Sequence, residues 1–178
     1  MQLEAKTVRM RLVNVEDAAF ILELRLDSRF NRHLSQVSSN LDEQVDWLKR
    51  YKQEEKLEKQ YYFIIEKIRC GTPIGTVRLY DLNPKVSSFC WGSWILNSNK
   101  TVSAAIESAL LVYQFAFEIL KFEQSNFDVR KENQVALNFH LKTGAEKISE
   151  DDENFYFLFS KQSYIELKES KKRFLVKI

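Results

Sequence analysis

The stretch of the sequence with the clearest chemical potential is WILNSNKTVSAAIES, residues 94–108. An apolar run ends at Leu96, a polar loop follows, and a helical pattern begins near Ala104. A helix N-terminus carries unpaired N–H groups and a partial positive charge, which suits a phosphate group. Small residues at 103–105 would let a diphosphate approach the backbone, and Lys100 could add positive charge. An ordinary strand-to-helix connection is an equally good reading of this segment on its own.

A second candidate lies in NQVALNFHLKTG, residues 133–144, which reads as a short helix capped by Asn133 and ended by Gly144. Asn133 and His140 are seven residues apart, about two helical turns, so they share a face. His140 could donate a proton near neutral pH. The alternative reading is a half-buried histidine that is hydrogen-bonded to a backbone carbonyl.

The elements that would position these residues follow an α/β order. Alternating or apolar runs predict six strands, at 8–12, 61–66, 74–81, 87–96, 125–130 and 154–159. Helices are predicted from a cap at Asp17 to about Arg25, and over 40–51, 104–120 and 133–144. Glu107 falls on the polar face of the long third helix. The chain of 178 residues is expected to form a single domain, 1–178, with 167–178 as a basic, solvent-exposed tail.

Composition excludes several classes of function. Charged residues make up 29% of the chain but nearly balance, with a net charge of +2, which gives no basis for a nucleic-acid groove or a polybasic membrane surface. No apolar run approaches the roughly 20 residues of a membrane helix. The first residues lack the apolar core of a signal peptide, so a cytoplasmic protein is expected. Two separated cysteines and two histidines make a zinc site improbable, and no metal is predicted.

Several of these segments together resemble the N-acetyltransferase superfamily usually called GNAT, over nearly the whole chain. The resemblance is carried by IGTVRLYD, CWGSWIL, the loop and long helix, and FDVRKENQVALNFHLKTGA. Its strongest part is the pattern N-x-x-A-x-x-F-[HY]-x-x-x-G, present as Asn133, Ala136, Phe139, His140 and Gly144. The resemblance implies a single-domain, mixed but mostly antiparallel sheet of six or seven strands, flanked by helices and splayed at its central strands.

The resemblance also implies acetyl-CoA as cosubstrate and suggests which residues bind it. Backbone groups of Ile95 and Leu96 would bond the pantetheine arm, which Asn133 and Phe139 would flank. The family's pyrophosphate loop, Q/R-x-x-G-x-G/A, corresponds here to Lys100, Thr101, Val102, Ser103, Ala104 and Ala105, with Ser103 in place of the central glycine. His140 stands where relatives often carry a tyrosine that protonates the departing thiolate.

The general base and the acceptor follow less directly from the resemblance. Many relatives carry a glutamate on the strand before the loop, at the position of Cys90, so Asp81, Glu107 and a water chain are alternative bases. The segment LRLDSRFNRHL resembles enzymes that acetylate nucleotide-linked amino sugars, and Arg25 and Asn31 fit their pattern. Tyr80 could stack on the sugar or base.

The favoured prediction is therefore transfer of an acetyl group to a small-molecule amine, preferably on a sugar nucleotide. A homodimer is compatible with this prediction. A protein N-terminus, another small amine, and a non-catalytic CoA-binding relative are the alternatives.

Overall fold

The computed structural model describes residues 3–32 and 35–176 and contains one eight-stranded sheet with five α-helices. The strands are β1 (Leu3–Glu4), β2 (Val8–Leu12), β3 (Tyr61–Lys67), β4 (Pro73–Asn83), β5 (Ser88–Leu96), β6 (Gln124–Arg130), β7 (Glu146–Glu150) and β8 (Asn154–Ser160). The helices are α1 (Ala18–Leu26), α2 (Leu41–Lys56), α3 (Ala104–Tyr113), α4 (Gln134–Lys142) and α5 (Lys161–Ser170). The strand order is β1-β2-β3-β4-β5-β6-β8-β7.

The central strands of the sheet separate from one another. All neighbouring strands pair antiparallel except β5 and β6, which run parallel and pair only through Ser88–Gln124 and Phe89–Ser125. Beyond those two pairs the strands diverge, so the facing edges of β5 and β6 lack a neighbouring strand. The prediction of a mixed, mostly antiparallel sheet splayed at its centre is confirmed.

A β-bulge bends β5 next to this gap. Arg78 of β4 faces Gly92 of β5, but Thr76 faces Ile95, so one residue of β4 is opposite two residues of β5. Ser93 at the bulge has a φ of 47°, and its carbonyl accepts a hydrogen bond from Thr76 Oγ1 at 3.1 Å. The bulge therefore redirects the strand edge that borders the gap.

Both faces of the sheet are covered, which explains why β3 is buried along most of its length. On one face, Ile21 of α1 and Leu48 of α2 pack with Tyr62 and Ile64 of β3. The larger cluster on the other face brings α3 and α5 together with the alternate residues of the central strands. Rings dominate its centre, where Tyr113 stacks on Phe159 with centroids 4.2 Å apart.

The sheet has eight strands rather than the predicted six or seven. β1 contains only two residues, and all five residues of β7 are exposed, so neither produces an alternating pattern. α5 was not predicted either, and the tail is less exposed than expected, because Leu167 is buried and Leu175 pairs with Ala5.

Two helix predictions also differ from the structure. Asp17 precedes α1 but makes no side-chain capping bond; its carboxylate binds Arg11 instead, with both N–O distances at 2.8 Å. The long helix predicted over 104–120 is α-helical only to Tyr113 and continues as a π-helix over Gln114–Ile119.

Candidate active site

The gap between β5 and β6 forms a cavity of about 220 Å³, called the donor cleft below. α4 closes one side of it, and the predicted residues Asn133 and His140 both line it, as does Tyr80 of β4. Ser93 of the bulge and Asp128 and Arg130 of β6 also line it. The structure therefore brings together two residues that the sequence placed on one helix face and four polar residues from three strands.

Ile95 and Leu96, the two residues predicted to bind pantetheine, do not line the donor cleft, but they follow it along the edge of β5. The Asn97 N–H donates to the Ile74 carbonyl of β4 at 2.8 Å. Because backbone groups alternate in direction along a strand, those of Ile95 also face β4, whereas those of Leu96 face away from it. Leu96 is therefore the residue whose N–H and carbonyl face the gap.

The predicted phosphate loop connects β5 to α3 and leaves the helix N-terminus open. Ser103 is the residue before α3 and makes no side-chain capping bond. The Ala104 N–H donates to the Thr101 carbonyl at 3.1 Å, so of the first-turn N–H groups those of Ala105 and Ile106 remain without an intrahelical partner. Lys100 and Val102 are exposed, and Thr101 and Ala105 are half-buried, whereas Ala104 is fully buried. These features fit a diphosphate bound by backbone N–H groups, with Lys100 able to add charge.

Glu107 occupies a different environment from the one predicted. The sequence predicts Glu107 on the polar face of the helix, as one alternative for the general base, but its relative exposure is 0%. Its carboxylate accepts hydrogen bonds from the Thr7 N–H at 2.7 Å, the Val8 N–H at 3.0 Å and Ser103 Oγ at 2.6 Å. Glu107 does not line the donor cleft, so it is not placed to deprotonate an amine there.

α4 has the ends that its sequence predicts. Asn133 caps the helix, with its side-chain oxygen accepting from the Ala136 N–H at 3.1 Å. Gly144 follows the helix with a φ of 96°, a conformation that favours glycine. Phe139 is half-buried against Trp94, with ring centroids 4.9 Å apart. These contacts fix the face of α4 that borders the donor cleft.

His140 is held in an aromatic environment. Its ring centroid lies 4.4 Å from that of Phe127 and 5.4 Å from that of Trp91. Nδ1 is buried and has no hydrogen-bond partner among the described residues. Desolvation by burial lowers the pKa of His140 to about 4. The imidazole is therefore neutral at pH 7, in contrast to the near-neutral titration that the sequence suggested.

A second cavity, of about 300 Å³, adjoins the donor cleft at Ser93, which lines both. It is called the arginine cavity because Arg25 of α1 and Arg78 of β4 line it, together with Trp47 of α2. Arg78 lies between two rings, with its guanidinium carbon 5.5 Å from the Trp47 centroid and 5.3 Å from that of Tyr80. Neither arginine forms an ion pair within residues 3–32 and 35–176, and no carboxylate is among the described lining residues.

Arg25 and Asn31, both predicted to bind the acceptor, lie next to each other at the end of α1. Arg25 Nη2 donates to the carbonyl and hydroxyl oxygens of Ser35, each at 2.9 Å, and Arg25 Nε is buried without a described partner. Asn31 Nδ2 donates to the Arg25 carbonyl at 3.0 Å. Arg25 lines the arginine cavity, whereas Asn31 borders an adjacent depression and holds the end of the helix.

A third cavity, of about 330 Å³, has the opposite charge and is called the acidic cavity. Asp81 of β4, Cys90 of β5 and Asp128 of β6 line it, and Asp128 lines the donor cleft as well. Asp81 does not line the donor cleft, so the structure does not bring it together with His140. Burial raises the pKa of Cys90 to about 11, so this thiol is neutral at pH 7.

Tyr80 crosses from β4 towards the bulge of β5. A Cβ added to Gly92 would lie 2.9 Å from the Tyr80 hydroxyl oxygen, so the glycine provides the space that this hydroxyl occupies. Burial raises the pKa of Tyr80 above its ordinary range, which keeps the phenol protonated. Tyr80 can therefore donate a hydrogen bond into the donor cleft but cannot serve as a base at neutral pH.

Sequence reasoning missed Arg78, Ser93 and Asp128. A glycine inside a strand pattern, here Gly92, is a signal for a bulge and could have indicated Ser93. Alternation in FDVR places Asp128 on the face opposite Phe127, which would have marked it as a polar residue beside the gap. The position of Arg78 against a ring depends on Trp47 of α2, so no pattern in the sequence around Arg78 could have indicated it.

These features match a known family. The family model described as an acetyltransferase (GNAT) domain matches residues 7–146. The chain is a GNAT acetyltransferase. A solved structure described as apo FdhC, a nucleotide-linked sugar GNAT, is 49% identical, covers 99% of both chains and superposes with a TM-score of 0.93.

More distant solved structures share the fold of the enzyme. A ribosomal-protein-S5-alanine acetyltransferase from Vibrio fischeri is 13% identical, with a TM-score of 0.78, and the match covers 92% of this chain and 98% of that one. A spermidine N-acetyltransferase from Vibrio cholerae, solved with CoA and spermine, is 16% identical, with a TM-score of 0.77 and coverage of 89% and 98%. None of the curated protein sequences compared with the chain matches it significantly.

No group of three or more potential metal-ligating side chains occurs among the described residues. Within the same part of the chain, no helix has the length and apolarity needed to cross a membrane.

Proposed function

We propose that the enzyme transfers the acetyl group of acetyl-CoA to the amino group of a nucleotide-linked amino sugar. The observation that carries the proposal is the pair of oppositely charged cavities that adjoin the donor cleft. The arginine cavity meets the cleft at Ser93, and the acidic cavity meets it at Asp128. An acceptor with an anionic part and a cationic amine would match both cavities.

A sugar nucleotide has these two parts. Its diphosphate is an anion that guanidinium groups bind well, and the aromatic ring of Trp47 beside Arg78 offers a surface for a base or sugar. Its amine is protonated in water and is attracted to carboxylates such as Asp128. A polyamine is cationic along its whole length, so Arg25 and Arg78 would repel it. The similarity to the nucleotide-linked sugar GNAT supports the same acceptor class.

The donor side rests on the loop and the open edge of β5. The N–H groups at the start of α3 and the side chain of Lys100 would hold the diphosphate of acetyl-CoA, and Leu96 would bond its pantetheine arm. Asn133 and Phe139 would flank that arm. When bound, acetyl-CoA supplies a thioester whose acetyl group is activated towards an amine. The known use of acetyl-CoA by GNAT domains supports this assignment.

Proton transfer is assigned to residues that line the donor cleft. The acceptor ammonium must lose a proton before it can attack, and Asp128 is the carboxylate shared by the cleft and the acidic cavity. We therefore favour Asp128 over Asp81 as the group that removes it, directly or through water. His140 remains the residue proposed to assist the departing thiolate. Because it is neutral at pH 7, it would donate a hydrogen bond to the thiolate through its N–H group, and the thiolate would take up its proton from water.

An acceptor series tests the proposal. We expect kcat/KM to rise from a free amino sugar to its 1-phosphate and to the nucleoside diphosphate form, because each step adds charge for the arginine cavity. Spermidine and a peptide with an N-terminal alanine serve as comparison substrates. A higher kcat/KM for either comparison substrate would contradict the proposed acceptor. Titration calorimetry with CoA tests the donor independently, and absence of binding at millimolar CoA would contradict the donor assignment.

A further inference from the structure

Glu107 connects the phosphate loop to a distant part of the sheet. It lies in the first turn of α3 and is fully buried. Oε2 accepts hydrogen bonds from the N–H groups of Thr7 and Val8 and, at 2.9 Å, from the Thr7 hydroxyl. Oε1 accepts from the Ser103 hydroxyl. A buried carboxylate without partners would be strongly unfavourable, but this one has four donors.

These bonds also determine how the hydroxyl groups of the loop are oriented. Thr7 has one hydroxyl proton, which it donates to Glu107. In its 2.7 Å contact with Thr101 Oγ1, Thr7 must therefore accept, and Thr101 must donate. The Ser103 proton is likewise directed to Glu107. Neither loop hydroxyl thus retains a proton for a phosphate, which leaves the backbone N–H groups as the donors.

The contact explains how a serine can occupy the position of the family's central glycine. The Ser103 hydroxyl donates to Glu107 Oε1 at 2.6 Å and does not cap the N–H groups of the first turn. We infer that Glu107 is a positioning residue that, through Ser103 and Thr7, holds the backbone of loop 100–103 in the conformation that binds the diphosphate of CoA. This inference rests on the proposed function.

The test compares CoA binding by calorimetry in the wild type, Glu107→Gln and a matched control, Glu118→Gln. Glu118 also accepts bonds, from Tyr164 at 2.7 Å and Lys168 at 2.6 Å, but lies on the π-helical turn after α3 rather than at the loop. We expect Glu107→Gln to raise the Kd for CoA at least about fivefold, since weaker bonds loosen the loop. The control should stay within twofold of the wild type.

The direction of the change in Kd distinguishes a positioning role of Glu107 from a direct electrostatic effect of its charge on the diphosphate. Removing a negative charge near a diphosphate would by itself strengthen CoA binding, so an unchanged or lower Kd in Glu107→Gln would overturn the inference. The KM for acetyl-CoA should rise with Kd, while kcat at saturation and the KM for the acceptor stay within twofold. A loss of melting temperature with no change in Kd would show a purely structural role and would also overturn it.

A second variant covers the case in which Glu107→Gln does not fold. Thr7→Val removes the hydroxyl that binds Thr101 and Glu107 but keeps the Glu107 charge, the loop sequence and both backbone donors. We expect about a threefold or greater rise in the Kd for CoA, and an unchanged Kd would count against the inference. If the wild type binds CoA and these variants bind it equally well, only this inference fails. If the wild type does not bind CoA, the proposed function fails with it.

Discussion

The arginine cavity and the acidic cavity lie beside the same cleft but are lined by side chains of opposite charge. Arg25 and Arg78 have no ion-pair partner among the described residues, and Arg78 is held by the rings of Trp47 and Tyr80. In the acidic cavity, Asp81 and Asp128 are exposed to solvent and lie beside neutral Cys90. The two cavities suit the proposed acceptor, which carries its negative and positive charges at two separate places.

The donor cleft between them carries one charge of each sign, from Asp128 and Arg130 of β6. His140 is neutral because of burial, and Tyr80 stays protonated. A cleft whose charges balance, bordered by two cavities of opposite charge, would guide the two ends of the acceptor apart and leave the amine near Asp128. Each of the three elements can be altered separately.

The largest effect is expected on the acidic side. If Asp128 removes the ammonium proton, Asp128→Asn should lower kcat about 100-fold or more, the usual range for general acid–base groups. Asp81→Asn is the matched control, because Asp81 shares the acidic cavity but does not line the donor cleft. Steady-state kinetics with the nucleotide-linked acceptor would measure both. A loss confined to Asp81→Asn would assign the base to Asp81 and contradict our choice of Asp128.

A smaller effect is expected on the arginine side. Arg78→Met keeps the apolar stem between Trp47 and Tyr80 but removes the guanidinium, so the KM for the nucleotide-linked acceptor should rise about 10- to 100-fold. The free amino sugar, which has no diphosphate, should react as it does with the wild type. Arg29→Ala is the control, because Arg29 is exposed and paired with Asp27. An equal rise in KM for both acceptors would show that Arg78 does not bind the diphosphate.

The parts of this site that the sequence predicted are those that local patterns encode. β2 has the predicted bounds, 8–12, because its residues alternate, and Asn133 caps α4 as its position before an apolar run indicates. The splayed sheet followed from resemblance rather than from pattern. The exposed strand β7 had no alternation to reveal it.

What the sequence did not reveal depends on contacts between distant segments. The burial of Glu107 requires hydrogen-bond donors from Thr7 and Val8, about one hundred residues away in the chain. Because the helical pattern contains no sign of these donors, it predicts a solvent-exposed side chain. The low pKa of His140 arises from rings on three other elements, including Trp91 and Phe127. The charge of the acceptor cavities is likewise assembled by the fold, because Arg25 and Arg78 are on different elements.

The smallest expected effect concerns His140 and the dependence of stability on pH. The pKa of His140 is about 4 in the folded protein, against about 6.5 for an unperturbed histidine in the unfolded chain. Between these values the unfolded chain binds a proton that the folded protein does not, so the free energy of unfolding falls as the pH is lowered from 6.5 towards 4. This contribution changes by at most about 1.4 kcal/mol per pH unit, and it vanishes above pH 6.5.

Urea unfolding at several pH values, with His140→Phe beside the wild type, would isolate the contribution of His140. Phenylalanine suits the aromatic surroundings and does not titrate, while the carboxylates titrate in both proteins and cancel in the difference. The advantage of the wild type over the variant should decline as the pH falls from 6.5 to 4. A difference that does not depend on pH would show that His140 can be protonated in the folded enzyme. In that case His140 would add a positive charge to the donor cleft, and the charges of Asp128 and Arg130 would no longer balance there.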